Sequence, residues 1–419
     1  MYYERTLTET IKNISGSFPV LLVTGPRQIG KTTLLEKIKE PERKSVSLDN
    51  PTIRLLAKRD PELFLQRYSP PVLIDEVQYA PELFPYIKIL ADSRKKSGDF
   101  WLTGSQTFHL MANVTESLAG RVGIVPMLGL SNGEISKTRF GAFEMDIPKL
   151  TKRLESARIL NVSEVFERIY RGSLPRLYEN ETTNREIYFE SYIDTYISRD
   201  IKSLDQVADE TDFIRFLQVT AARTATNVNY DTLAGEVGIS APTAKKWLSI
   251  LVSSGLIILI QPYYNNALKR VIKAPRMYFS DTGLCAHLLG WGSAQVLERS
   301  SMSGAFFETW VVSEIYKSYL NVGKKPPLYF YRDSNKKEID LIISRDGIIY
   351  PLEIKKAAVP ENAVRNFSVL EPVAGPEGKY DLPDKSAFKT EVGTGGVICL
   401  SGDLIPIDKK NWFVPVWLI

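Results

Sequence analysis

Apolar residues in this chain come in short unbroken runs, each closed by a glycine, a hydroxyl or an acid, and helical spacings separate most of them. Pro19-Val-Leu-Leu-Val-Thr24 is the first. Lys44-Ser-Val-Ser-Leu48, Val72–Ile74, Phe100-Trp-Leu-Thr103 and Val122-Gly-Ile-Val-Pro-Met-Leu128 follow. They are too short for helices and mostly apolar at consecutive positions, as strands buried on both faces are. Strands alternating with helices predict an α/β fold with a doubly wound, five-stranded parallel sheet.

The connection after the first run carries chemistry. Residues 25–32 read Gly-Pro-Arg-Gln-Ile-Gly-Lys-Thr, and Thr33-Leu-Leu-Glu-Lys-Ile38 continues them as a helix. A glycine-rich turn between a buried strand and a helix points successive N–H groups and a positive helix end at an anion. Gly25, Pro26, Arg27, Gln28, Ile29, Gly30, Lys31, Thr32 and Thr33 are therefore the expected nucleotide cradle. Lys31 would reach the β/γ-phosphates and Thr32 would ligate Mg²⁺, so the cofactors expected are ATP and Mg²⁺. The run Pro71-Val-Leu-Ile-Asp-Glu76 ends in two acids where a central strand opens onto the ligand crevice. Asp75 would hold Mg²⁺, and Glu76 would accept the proton of the water attacking the γ-phosphate. The competing reading of Glu76 is a solvated acid at a strand end.

The second half has its own patterns. Asp231–Gly238 reads as a short helix ended by glycine, and Ser240 caps a second helix that stops at Gly255. Leu256–Tyr264 and Lys269–Lys273 then read as a hairpin, which completes a winged helix-turn-helix. Between Val237 and Ser280 there is no acid, while Lys245, Lys246, Lys269, Arg270, Lys273 and Arg276 supply six positive charges. Duplex DNA is one expected partner, with Ala241, Thr243 and Lys246 near base edges and the hairpin cations on phosphates. The alternative is a rigid protein-contact module whose cations are solvated. Further on, a helix from Gly304 carries Glu308, and the strands Leu328–Arg332, Glu338–Ile343 and Tyr350–Lys355 follow. Glu353 and Lys355, two apart on a strand, share a face.

Composition narrows the class. The chain has 419 residues, 44% hydrophobic and 24% charged, enough for several cores. No apolar run reaches about 18 residues and the first residues lack a signal-like core, so no membrane partner is expected and the expected place is the cytoplasm. Two cysteines and two histidines, without metal-ligand spacing, argue against a zinc site or a cysteine nucleophile.

The two motifs and five strands of the first 130 or so residues resemble the AAA+ class of ATPases. That resemblance implies a sensor on the fourth strand, for which Ser105 or Gln106 in Thr103-Gly-Ser-Gln106 is the candidate ahead of Thr103. It also implies an arginine finger in trans at Arg121, although an ordinary surface ion pair fits that residue equally well. Asp340 with Glu353-x-Lys355 resembles the restriction-endonuclease-like PD-(D/E)xK fold. This second resemblance implies Asp340 and Glu353 as metal ligands, Lys355 as a water-orienting group and Glu308 as a supporting acid. A buried ion-pair network that cuts nothing is the competing reading.

The order of modules resembles a bacterial and archaeal family that joins an AAA+-type ATPase core to a C-terminal domain of unknown function. Ser117-Leu-Ala-Gly-Arg121, Tyr196-Ile-Ser-Arg-Asp-Ile201 and Tyr278-Phe-Ser-Asp-Thr-Gly-Leu284 contribute to the likeness. Arg171-Gly-Ser-Leu-Pro175 departs from an expected Gly-Gly-x-Pro turn. Expected domains are the ATPase core at 1–140, a linker at 140–150, a helical lid at 150–204, the winged helix at 205–280 and the nuclease-like α/β domain at 281–419. The expected function is Mg-dependent ATP hydrolysis coupled to DNA engagement. The alternative is an ATP-dependent switch that recruits a protein partner or a second copy of itself, with the nuclease residues inactive. A small-molecule kinase ranks last, because the acid pair suits attack by water.

Overall fold

The computed structural model describes residues 2–419 apart from 105–113, 115, 181, 197–209, 265–273, 334, 336, 371–372, 375–379 and 382–390. The five expected strands form one parallel sheet: β1 Val20–Thr24, β2 Lys44–Ser47, β3 Val72–Asp75, β4 Phe100–Gly104 and β5 Val122–Pro126, in the order β2-β3-β4-β1-β5. Alternate residues of β1 enter two different cores. Val20 and Leu22 pack with Phe64, Phe84 and Phe100 beneath the helices Pro51–Arg59, Pro61–Arg67 and Leu83–Arg94. Leu21 and Val23 join Trp101, Phe166 and Phe306 in a core shared with the second half of the chain. Burial on both faces is why these strands read as unbroken apolar runs.

The residues after β5 run through helices Asn132–Ser136, Ile147–Leu154 and Val162–Arg171. Asp146 caps the helix that begins inside the stretch expected to be a linker, its carboxylate accepting from Lys149 N–H at 3.0 Å. Helices Tyr230–Val237 and Ala241–Ser253 lie close to their expected bounds, the second capped by Ser240. Trp247, Ile250 and Leu251 are buried, Lys245 and Lys246 exposed. The antiparallel pair that follows is Ile257–Pro262 with Arg276–Phe279; Lys269, Arg270 and Lys273 lie outside the described residues.

A ten-stranded mixed sheet occupies the second half among the described residues. Strand Ile257–Pro262 pairs in parallel with Leu328–Arg332, so this sheet is continuous across residue 280. Glu338–Arg345 and Ile348–Ile354 form an antiparallel pair, covered by the long helix Ser303–Asn321. The C-terminal run is a packed strand, Asn411–Pro415.

The departure at Arg171-Gly-Ser-Leu-Pro175 has a clear place. Gly172 has φ +82°, and a Cβ there would lie 2.4 Å from Asp281 Oδ1 and 2.9 Å from Gly283 Cα. Ser173 donates through both its N–H (2.7 Å) and its hydroxyl (2.6 Å) to Asp281, and its carbonyl accepts from Leu130 N–H at 2.7 Å. The turn therefore locks the loop after β5 to the Tyr278–Leu284 segment, and only glycine permits the approach.

Candidate functional site

The cradle at 25–32 is built by three left-handed or extended backbone positions: Gly25 (φ 149°), Gln28 (φ 59°) and Gly30 (φ 88°). A Cβ on Gly25 would fall 2.0 Å from Met127 O, so the turn presses directly on the residue after β5. Helix Lys31–Ile38 begins at Gly30 and points its N-terminus into the turn. Lys31 is buried, and its ammonium donates to Gly25 O at 2.9 Å and Pro26 O at 2.8 Å, inside the loop that would surround a phosphate. Arg27 donates to the Tyr79 hydroxyl at 3.3 Å. An open groove of about 500 Å³ runs past Thr32, Thr33, Glu36, Lys37 and Tyr2.

Asp75 is the hub of the site. Its Oδ1 accepts the Thr32 and Thr103 hydroxyls, each at 2.5 Å, and its Oδ2 accepts the Ser47 hydroxyl at 3.2 Å. The strand order explains the convergence. β4 lies between β1 and β3, so the ends of β2, β3 and β4 and the start of the β1 helix meet at one edge. Glu76 follows in the left-handed region (φ 57°, ψ 47°), unusual for a residue with a side chain. Its N–H donates to Thr103 Oγ1 at 3.1 Å, and its carboxylate accepts from the Gln78 side-chain amide. The donor set around Asp75 is oxygen only, which fits Mg²⁺ and not a softer metal.

Lys31, Thr32, Asp75 and Glu76 are thus brought to one edge of the sheet. Ser105 and Gln106 lie outside the described residues. Thr103, ranked behind them from sequence, bonds both acids. Arg121 sits at the start of β5, at the opposite end of the sheet, and forks onto Asp92 at 2.5 and 3.0 Å while donating to Ala119 O. Sequence reasoning missed Ser47 and Gln78. Ser47 had a signal: the final position of a parallel strand beside the acid-bearing one faces the crevice. Gln78 had none.

Asp340, Glu353, Lys355 and Glu308 form a second cluster. Lys355 Nζ lies 3.1 Å from Asp340 Oδ2 and 2.7 Å from Glu353 Oε2, so an ammonium sits between the two carboxylates. Ile354 N–H also donates to Asp340 at 2.9 Å. Burial and then the charge of Asp340 push Glu353 up to about 9. Burial opposes charge on Asp340 too, but Lys355, Glu353 and the Ile354 amide hold it below the usual range. Burial and mutual repulsion thus disfavour double ionisation, and the two acids titrate as a unit. Glu308 accepts from Arg276 (3.2 Å) and the Tyr278 hydroxyl (2.8 Å), and burial with Asp340 pushes it up to about 7. Arg276 also pairs with Glu338 and is buried over the Phe330 ring, which withdraws it from any phosphate contact. Among the described residues no three acids, histidines or cysteines converge as a metal site.

Three family models match segments of this chain. Residues 17–136 match the family described as an AAA domain. The matched segment contains the whole five-stranded sheet and its glycine-rich turn. Residues 162–295 and 303–419 match two domains of unknown function, DUF8612 and DUF4143. An uncharacterized protein of Mycobacterium tuberculosis and one of Mycobacterium bovis are each 28% identical over 345 residues, covering 82% of this chain and 71% of their own. Among solved structures, the Walker-type ATPase of Pyrococcus abyssi overlaps with a TM-score of 0.41 at 14% identity, covering 67% of this chain and 94% of its own. A signal transduction ATPase with numerous domains and a tetratricopeptide repeat sensor, from Pyrococcus horikoshii, overlaps with a TM-score of 0.26 at 14% identity, covering 77% of this chain and 48% of its own. No helix among the described residues is long and apolar enough to cross a membrane.

Proposed function

We propose that the chain is a Mg²⁺-dependent ATPase whose nucleotide state is passed to its C-terminal half. One observation carries the reading: Asp75 gathers the hydroxyls of Thr32, Thr103 and Ser47 beside a buried Lys31 in a glycine turn. Thr32 and Asp75 would hold the metal, which when bound neutralises charge on the phosphate oxygens. Lys31 would leave the Gly25 and Pro26 carbonyls for the β/γ-phosphates. The turn's N–H groups and the helix N-terminus would receive the β-phosphate. Glu76, turned by its N–H bond to Thr103, would take the proton from the attacking water. Ser105, next in the sequence after β4, would read the γ-phosphate, and Arg121 would act only across an interface, because it lies at the far end of its own sheet.

Transmission to the second half would have a route through the Ser173–Asp281 lock, which lies near the P-loop: a Cβ added at Gly30 would sit 4.0 Å from Pro175 Cγ. Two outputs compete. DNA engagement is supported by the exposed Lys245 and Lys246 on a Ser240-capped helix. A protein-partner switch is supported by the last domain, where Lys355 already occupies the space between Asp340 and Glu353 as an ion-pair network would have it. ATP turnover with and without duplex DNA separates them: stimulation by DNA favours the first, indifference the second. Absence of turnover and of nucleotide binding would end the ATPase reading itself.

A further inference from the structure

Arg5 belongs to no motif, yet its side chain is 4% exposed and makes four contacts, one of them to the P-loop and three to the segment that follows β5. Its Nε donates to Glu134 Oε1 at 3.2 Å, its Nη1 to Ile29 O at 3.0 Å, and its Nη2 to Leu128 O at 2.7 Å and Gly129 O at 3.2 Å. Glu134 is equally buried and engaged, accepting Thr6 N–H at 2.7 Å and, as the partner of a capping box, Ser131 N–H at 2.9 Å. One planar fork thus ties the last turn of the cradle to the residues that leave β5. A lysine has neither the fixed geometry nor the number of donors for this.

The contact at Ile29 has a direct consequence. Ile29–Gly30 is a trans peptide, in which C=O and N–H point in opposite directions. Fixing the Ile29 carbonyl on Arg5 fixes the Gly30 N–H pointing away from Arg5, at the turn that precedes Lys31. Gly30 is also the residue whose left-handed backbone (φ 88°) starts the helix. With no Cβ to restrict it, this peptide has the most conformations to lose.

We propose that Arg5 is a positioning residue of the nucleotide site: it holds the Ile29–Gly30 peptide so that the Gly30 N–H is aimed at the phosphate before nucleotide arrives. The proposal rests on the ATPase reading above. An N–H aimed at the β-phosphate binds ADP and ATP alike, so its loss weakens binding without altering the chemical step. The expected size is that of one hydrogen bond to a charged group, about 10- to 100-fold in affinity.

The test uses the full chain with Mg²⁺ and measures ADP affinity by calorimetry and ATP turnover at steady state. Arg5→Met should raise Kd for ADP and KM for ATP by about 10- to 100-fold and leave kcat at saturation within about threefold. Arg5→Lys, which keeps a cation beside Glu134 and loses the fork, should shift both in the same direction by about 3- to 10-fold, and it decides the matter alone if Arg5→Met does not fold. Val397→Ala, a truncation in the core of the second sheet, sets the baseline for lost stability and should leave KM unchanged. KM and Kd within twofold of the parent in the Arg5 variants, whatever happens to melting temperature, would reduce Arg5 to a folding role and overturn the proposal. A parent protein that neither binds nor hydrolyses nucleotide overturns the ATPase reading and this one with it; an active parent with unmoved variants overturns this one only.

Discussion

Replacing Thr103 by valine removes one oxygen and keeps the shape of the side chain, yet that oxygen serves both acids of the site. It donates to Asp75 Oδ1 at 2.5 Å and accepts the Glu76 N–H at 3.1 Å. The first bond is charge-assisted and contributes about 1.5–3 kcal/mol; the second, once broken, leaves a half-buried N–H without its acceptor. Together Thr103→Val should cost roughly 2–4 kcal/mol of domain stability. The catalytic effect has a different origin. Glu76 sits at φ 57°, a conformation that costs on the order of 1–3 kcal/mol for a residue with a side chain and is held in part by the Thr103 bond. Releasing it lets Glu76 relax away from the water position, and a shift of about 1.4 kcal/mol is already tenfold in rate. Steady-state turnover should therefore show kcat lowered about 10- to 100-fold, with the affinity for ADP changed far less. Thr103→Ser, which keeps the hydroxyl, should restore most of the rate. If Thr103→Val turns over ATP within twofold of the parent, the bond from β4 has no part in placing Glu76.

Lys31→Ala should abolish nucleotide binding in an equilibrium titration, whereas Glu76→Gln should bind normally and hydrolyse roughly 10²- to 10⁴-fold more slowly; equal turnover would remove Glu76 from the mechanism. In the last domain, Glu308 and Glu353 have folded-state values raised to about 7 and about 9, so the stability they contribute is complete below the ordinary glutamate range and is lost as pH rises through those values. Glu353→Gln cannot titrate, and its stability relative to the parent should rise by about 1–3 kcal/mol between pH 5 and pH 9; parallel melting curves would contradict the raised value of Glu353. Millimolar Mn²⁺ should leave the melting temperature of the parent unmoved if Lys355 is the resident cation, and raise it if Asp340 and Glu353 accept a metal instead. Arg276 is buried, so if the DNA reading holds with about four of the other cations between Val237 and Ser280 on phosphates, the log–log salt slope should be near −3.6, and no measurable binding at low salt would refute it.

The N-terminal sheet was legible because its information is local. β1 and β3 are apolar on both faces, and a turn with Gly25 and Gly30 before a helix has few other uses, so the strands fell within two residues of their expected bounds at most ends. The identities of Lys31, Thr32, Asp75 and Glu76 came from the same spacing. The convergence of Ser47, Thr103 and Gln78 on the two acids did not, because it depends on β4 lying between β1 and β3, a matter of strand order that no window of sequence records. Arg5 illustrates the limit most sharply: its acceptors at Ile29, Leu128, Gly129 and Glu134 are 24 to 129 positions away. The fate of the charges was likewise a tertiary decision. Sequence counted Arg276 among six available cations and left Lys355 either a water-orienting group or part of an ion-pair network; the fold buries the first between Glu308 and Glu338 and sets the second, still partly exposed, between Asp340 and Glu353. A charge buried without a partner is too costly to persist, so folding pairs it with whatever acid the sheet brings near. Short-range spacing therefore determined the strands, the cradle and the chemical types at the site, while strand order and burial decided which side chains meet and which charges remain available to a ligand.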